Sequence, residues 1–141
     1  MSKMKIQGSF VAIVTPFNRD GSVDFSAFRS LLKFQEDNGT AAVLIMGSTG
    51  EVSLLSPEER RQVIVETAKM KSGKMKLFYG CTGNNTDSTI EYLKFAQANG
   101  ADGAILAAPA YICASEADTE AYFLEVADAT DLPLGCLLYT S

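Results

Sequence analysis

The sequence predicts an α/β fold on a parallel sheet built of βα units. Three observations carry this prediction. Short β-rich apolar runs alternate strictly with amphipathic segments bounded by helix caps. The alternation repeats at a period of roughly 30 residues, the length of one βα unit. An internal echo, Asn38-Gly39-Thr40-Ala41-Ala42-Val43-Leu44-Ile45 against Asn99-Gly100-Ala101-Asp102-Gly103-Ala104-Ile105-Leu106, is separated by about two such units.

Each element has its own justification. Ser9-Phe10-Val11-Ala12-Ile13-Val14 is β-rich and stops at Thr15-Pro16, because proline cannot continue a central ladder. Asn18-Arg19-Asp20-Gly21 supplies a turn. Asp24 then N-caps a helix with Phe25, Phe28, Leu31 and Leu32 on one side, closed by Asn38-Gly39. Val43-Leu44-Ile45-Met46 carries no charge and reads as a strand buried on both faces. Ser56-Pro57-Glu58-Glu59 combines an N-cap serine, proline at the first helical position and glutamate three residues after the cap. That helix runs to about Lys71 with Val63, Ile64, Thr67 and Met70 inward, and Ser72-Gly73 ends it. Met75 to Tyr79 is the third strand. Thr86 or Asp87 caps a third helix carrying Ile90, Leu93 and Ala96 as far as Asn99-Gly100. A fourth strand spans Gly103 to Ala107, Ser115 with Asp118 opens a fourth helix through about Ala129, and Leu134 to Leu138 is the fifth strand. No linker or second domain interrupts the series.

Composition narrows the function classes. With 47% hydrophobic and 21% charged residues over 141 positions, the chain matches a globular domain large enough to bury a core. A net charge of -5 argues against nucleic acid and anionic membrane surfaces as partners. The N-terminus lacks the apolar core of a signal peptide and no run approaches the ~20 apolar residues of a membrane span, so a cytoplasmic location is expected. Cys81, Cys113 and Cys136 are far apart without C-x-x-C spacing, so they read as small buried residues, and neither disulfide, metal nor other cofactor is called for. The absence of His removes the commonest general base.

The chemistry is expected where the second strand breaks into Gly47-Ser48-Thr49-Gly50-Glu51. Glycine can take positive φ, which lets the backbone turn sharply, and two hydroxyls sit between the glycines. The turn therefore offers donors without formal charge, suited to a small carboxylate or a phosphate. The same residues also serve any tight strand-to-helix turn. Glu51 reads as structural, through first-turn or loop hydrogen bonding.

Two architectures fit five βα-type strands: a complete flavodoxin-like sheet, or the first four to five units of an eight-stranded barrel, which needs about 250 residues. A mononucleotide-binding sheet places its phosphate loop after the first strand, where this chain has Thr15-Pro16-Phe17-Asn18. Here the polar glycine-bearing turns follow strands two and three, and Pro109-Ala110-Tyr111 follows strand four. Several strands offering groups at one end is how a barrel builds a site.

The run Gly8-Ser9-Phe10-Val11-Ala12-Ile13-Val14-Thr15-Pro16-Phe17, then Gly47-Ser48-Thr49-Gly50-Glu51, Thr82-Gly83-Asn84-Asn85-Thr86 and Pro109-Ala110-Tyr111, resembles the dihydrodipicolinate synthase and N-acetylneuraminate lyase family in residues, order and spacing. The likeness extends to about Gly135. It implies a (β/α)8 TIM barrel, of which residues 1–141 are the N-terminal part, and a homo-tetrameric class I aldolase. In such an enzyme a lysine forms a Schiff base with pyruvate, whose enamine attacks an aldehyde. Aspartate semialdehyde, in lysine biosynthesis, is the first choice of aldehyde. The resemblance further implies that Ser48 and Thr49 hold the pyruvate carboxylate, that Ser48 joins a proton relay, and that Tyr111 is lent to a neighbouring subunit's site. Hydroxyls passing a proton do acid–base work where no His is present.

The chain also departs from the family pattern. Cys136-Leu137-Leu138-Tyr139-Thr140-Ser141 replaces the short strand followed by Tyr-Asn and a proline, which reads as a truncation or frame artefact. Tyr139 falls about two positions late for the relay tyrosine, which keeps its facing but not its depth. The Schiff-base lysine belongs on a sixth strand. Lys33, Lys69, Lys71 and Lys94 fall on helices or their ends, Lys74 and Lys76 precede strand three, and none is placed as a desolvated amine. The chain as it stands is therefore expected to be inactive. Ser48-Thr49 is also the sialate-lyase form of the cup, and Ile112 replaces the usual polar residue after Tyr111. A non-catalytic half-barrel that binds partners, and a flavodoxin-like binding module, are the readings from other classes.

Overall fold

The computed structural model describes residues 7–109 and 114–136. Among these, five strands, β1 (Phe10–Ala12), β2 (Ala42–Ile45), β3 (Lys76–Gly80), β4 (Gly103–Leu106) and β5 (Leu134–Cys136), alternate with α1 (Phe25–Asp37), α2 (Pro57–Met70), α3 (Thr86–Ala98) and α4 (Glu116–Asp128). The strands pair in parallel in the order β1-β2-β3-β4-β5. A flavodoxin-like sheet would reverse at a switch point, in the order 2-1-3-4-5. Neighbour-by-neighbour order is instead that of a barrel wall, so the sheet order decides between the two architectures.

The two faces of the sheet differ as a barrel wall requires. On one face Val43, Ile45, Leu77, Tyr79, Ala104 and Leu106 pack against Phe28, Leu32, Val63, Ile64, Leu93 and Val126 of the four helices. On the other, Ala42, Leu44 and Phe78 form a separate cluster with Ile105 and no helix residue. Phe10 meets Phe78 edge to face at 4.9 Å between centroids. Large side chains on this face lie over glycines of the next strand. A Cβ on Gly103 would stand 2.7 Å from Phe78 Cδ1, and one on Gly135 would stand 2.5 Å from Ile105 Cδ1. These are the register partners Phe78↔Gly103 and Ile105↔Gly135.

Local chemistry starts and stops the helices. Asp24 accepts from the Ala27 N–H at 2.9 Å to open α1. At α2 the Ser56 hydroxyl accepts from the Glu59 N–H and the Glu59 carboxylate accepts from the Ser56 N–H, closing the capping box with Pro57 inside it. The cap of α3 is Asn85, not Thr86 or Asp87: its side-chain oxygen takes the Ser88 N–H at 2.8 Å, while the Ser88 hydroxyl takes the Asn85 N–H at 3.2 Å. The reciprocal pair needs a polar side chain three residues on, which Asn85 has in Ser88.

The internal echo is conformational as well as compositional. Gly39 and Gly100 sit at φ +76° and +83°, the Thr40 and Ala101 N–H groups reach back to Gln35 and Ala96, and the Asn38 and Asn99 amides each donate to a carbonyl at 2.8 Å. Both sites end one helix and aim the chain into the next strand with the same left-handed glycine.

Three expectations are corrected. Cys81 is buried, but Cys136 is exposed, because among the described residues β5 has a strand on one side only. Cys113 lies outside the described residues. Lys76 does not precede the third strand but begins it, donating its N–H to the Ala41 carbonyl at 2.9 Å. The first strand is Phe10–Ala12, shorter than the β-rich run, although pairing continues from Ser9 to Ile13 through single hydrogen bonds to Ala41, Ala42 and Leu44.

Candidate active site

Ser48 and Thr49 follow β2 at the C-terminal end of the sheet, in a single 3₁₀ turn, Ser48–Gly50, which a second one, Val52–Leu54, continues before α2. The expected role of the glycines is corrected here. Gly47 has φ −76°, and left-handed backbone falls on the flanking Met46 (φ 59°) and Glu51 (φ 54°). The glycines supply room. A Cβ on Gly47 would stand 3.0 Å from Leu44 Cδ2, and one on Gly50 would stand 3.2 Å from the Ile13 carbonyl oxygen. Tight packing, which the residue types alone do not reveal, transfers the bend to Met46 and Glu51. Glu51 contributes through its backbone, donating its N–H to Ser48 and accepting from Leu54.

The turn leaves its donors free. The Gly50 N–H goes to Gly47 and the Glu51 N–H to Ser48, both at 3.0 Å. Among the described residues the Ser48 and Thr49 N–H groups and both hydroxyls are donated to nothing, and both residues are exposed. Four neutral donors on two adjacent residues can bind a carboxylate while leaving the charge of a neighbouring cation unopposed.

The adjacent loops are tied to this turn's surroundings. Thr15, buried at the end of β1, donates its hydroxyl to the Gly50 carbonyl at 2.6 Å. After β3, the Thr82 hydroxyl accepts from the Ala107 N–H at 2.9 Å, and Arg60 Nη2 donates to the Thr82 carbonyl at 2.8 Å. The Arg60 guanidinium stacks 3.8 Å over the Tyr92 ring. The Gly83 N–H donates to the Thr89 hydroxyl, which donates to the Asn85 carbonyl and meets the Tyr122 hydroxyl at 3.0 Å. Thr15 and Thr82 stand in the motifs quoted above but were given no role there, since a threonine before proline reads as a strand end, and Arg60 reads as an ordinary helix charge. The hollows elsewhere are unrelated to this end: one of about 290 Å³ between α1 and α2 is lined by Leu32, Glu36, Met70 and Met75.

Two buried acids lie in β3 and directly after it. Burial pushes the Cys81 thiol up from 9.0 to about 12, with nearby Arg60 pulling the other way. Burial likewise pushes the Tyr79 phenol up from 10.0 to about 12, opposed by its 2.9 Å hydrogen bond to Thr67. Both folded values exceed the unfolded ones, so their contribution is full below pH 9 and is lost as pH rises through about 12. Denaturation midpoints across that range are expected to fall. A flat profile would mean that both groups reach solvent in the folded chain.

Of the expected site residues, Ser48 and Thr49 are thus adjacent and exposed, while Tyr111 lies outside the described residues, as does Tyr139, to which no role was given. The lysines named above lie on helices, at helix ends, in the bend before β3 or at its start, and Lys71 and Lys76 are paired with Asp102.

Residues 5–140 match the model of the dihydrodipicolinate synthetase family. A 4-hydroxy-tetrahydrodipicolinate synthase of Gluconacetobacter diazotrophicus is 35% identical over 134 residues, 95% of this chain and 45% of that protein. The crystal structure of dihydrodipicolinate synthase from Aquifex aeolicus superposes with a TM-score of 0.88 at 37% identity, over 93% of this chain and 44% of that one. The chloride-inhibited dihydrodipicolinate synthase of Acinetobacter baumannii, complexed with pyruvate, superposes with a TM-score of 0.89 at 37% identity, over 94% and 45%. The chain spans less than half the length of each of these relatives. With motifs, sheet order and half-barrel curvature in agreement, the chain belongs to the dihydrodipicolinate synthetase family.

Proposed function

We propose that residues 1–141 are the N-terminal part of one (β/α)8 barrel domain and serve a pyruvate-dependent class I aldolase, 4-hydroxy-tetrahydrodipicolinate synthase, which condenses pyruvate with aspartate semialdehyde in lysine biosynthesis. The observation that carries this reading is the Ser48–Gly50 turn, whose exposed neutral donors stand at the C-terminal end of β2 in a family with a pyruvate-bound relative.

In the proposed mechanism Ser48 and Thr49 hold the pyruvate carboxylate, which places the keto carbon for attack by a lysine on a later strand. Neutral donors leave the Schiff-base nitrogen as the main local cation, which favours loss of a methyl proton to form the enamine. Ser48 then passes protons together with Tyr111, lent by a neighbouring subunit of a tetramer, and with a further tyrosine. The enzyme works in the cytoplasm without a metal or organic cofactor. None of the chain's described lysines stands at the C-terminal end of a strand, so this chain alone does not form the Schiff base.

Borohydride reduction in the presence of pyruvate tests both halves. A protein that continues beyond Gly135 into a lysine-bearing strand is expected to gain a covalent pyruvate adduct, and the 141-residue chain none. An adduct on the short chain would sink the claim about its lysines. In the longer protein Ser48→Ala is expected to lower kcat by about 10²-fold, and Thr49→Val to raise the pyruvate KM roughly tenfold. Ser48 also favours a second reading, a sialate or keto-sugar-acid aldolase, because serine at this place is the sialate-lyase form. Comparing kcat/KM for aspartate semialdehyde and for sugar aldehydes decides between them.

A further inference from the structure

The aldolase reading gives no chemical role to any residue of the Val14-Thr15-Pro16-Phe17 stretch, yet Thr15 is only 3% exposed and its hydroxyl reaches across 35 positions to Gly50. The Gly50 carbonyl ends the 3₁₀ turn that carries Ser48 and Thr49, and carbonyls at the end of such a turn have no partner within it. Among the described residues the Thr15 hydroxyl is its one partner. Gly50 is also pressed on the segment that follows β1, where a Cβ would stand 3.2 Å from the Ile13 carbonyl oxygen and 3.3 Å from Thr15 Oγ1. Inside, the turn is held by two hydrogen bonds only, from Gly50 to Gly47 and from Glu51 to Ser48. Short 3₁₀ turns have poor internal geometry and take their direction from outside contacts.

We propose that Thr15 is a positioning residue of the cup: its buried hydroxyl pins the Gly50 carbonyl to the segment that follows β1 and so fixes where the Ser48 and Thr49 donors face. The purpose of this contact rests on the carboxylate reading above; its geometry does not. Proline at position 16 suits the role, since it ends the strand and restricts the backbone of Thr15 itself.

The test uses the 141-residue chain and two variants. Thr15→Val keeps the shape and removes the donor, while Thr15→Ser keeps the donor and removes the methyl. Hydrogen–deuterium exchange is read in the peptide covering residues 47–55, with peptides from β2 and β3 as internal controls. Thr15→Val is expected to speed exchange in that peptide roughly tenfold relative to the controls, and Thr15→Ser to restore it, as the loss of one buried hydrogen bond would give. In the longer protein that carries the lysine-bearing strand, the pyruvate KM is expected to rise roughly tenfold in Thr15→Val and to hold in Thr15→Ser. Unchanged exchange in Thr15→Val, or equal acceleration in both variants, overturns the proposal. If the exchange pattern holds but Thr15→Val leaves the pyruvate KM of the longer protein unchanged, positioning by Thr15 stands and the carboxylate reading falls.

Discussion

Gly80→Ala is expected to destabilise the chain by about 2–3 kcal/mol, the range of a core overpacked against atoms that cannot rotate away. A methyl on Gly80 would overlap the Met46 carbonyl oxygen and stand 2.8 Å from its carbon and 3.3 Å from the Gly47 nitrogen. All three are backbone atoms, so no rotamer change relieves the clash. Retreat of β2 from β3 would break pairing at Ile45↔Tyr79, one residue before Gly80. Met46 is already left-handed and only 1% exposed, a conformation that costs a side chain about 1–2 kcal/mol and leaves little further room for adjustment. Gly103→Ala makes an informative contrast, because there the methyl meets the Phe78 ring, which is a side chain and can shift. Urea denaturation of both variants, read by circular dichroism, measures the difference. A Gly80→Ala chain as stable as the parent would show that the Met46 peptide moves freely, and the strand-to-turn geometry argued here would be wrong.

Asp102→Ala is expected to cost about 2–3 kcal/mol, the scale of hydrogen bonds to a charged group whose loss leaves a backbone donor unpaired. Its carboxylate accepts from the Leu77 N–H at 2.9 Å while its own N–H donates to the Leu77 carbonyl at 3.0 Å, clamping β3 to the chain entering β4. Lys71 at 2.5 Å and Lys76 at 3.1 Å complete its partners, and the carboxylate side chain is 13% exposed. Asp102→Asn keeps an acceptor for Leu77 but not the attraction of two ammonium groups, so a smaller loss of about 1 kcal/mol is expected. Burial works to raise the Asp102 pKa, but the hydrogen bonds from Lys71, Leu77 and Lys76 outweigh it and hold the carboxyl below 3.8. A depressed folded value means that the contribution is present above the unfolded pKa and is lost as pH falls through the folded one. The difference in stability between parent and Asp102→Asn should therefore shrink below about pH 4. A difference that stays constant to lower pH would exclude the charge as its source.

Both predictions concern backbone contacts that could not be read from residue types. Capping at Asp24 and Ser56, the helix stops at Asn38-Gly39 and Asn99-Gly100, and the inward faces of α1 and α2 were legible, because each depends on residues within one helical turn of one another. The α3 cap lies one or two residues before the expected Thr86 or Asp87 because Asn85, Thr86 and Asp87 are all competent caps, and the reciprocal bond with Ser88 selects among them. At the candidate site, Ser48 and Thr49 were legible as exposed hydroxyls between glycines. That the glycines answer crowding, and that Met46 and Glu51 bear the bend, was not, since the crowding atoms belong to Ile13, Thr15 and Leu44.

The sequence by itself determined the βα alternation, most helix ends and the place of the hydroxyl turn, all matters of local propensity, periodicity and capping. The barrel wall, which the turns and the family resemblance implied, is borne out by the neighbour order of the strands, but only the tertiary structure decided that Phe78 and Ile105 lie over Gly103 and Gly135 and that Thr15 holds Gly50. Those contacts join residues about 25 to 35 positions apart. Their geometry follows from how whole strands twist and pack against one another, which no short stretch of chain encodes alone.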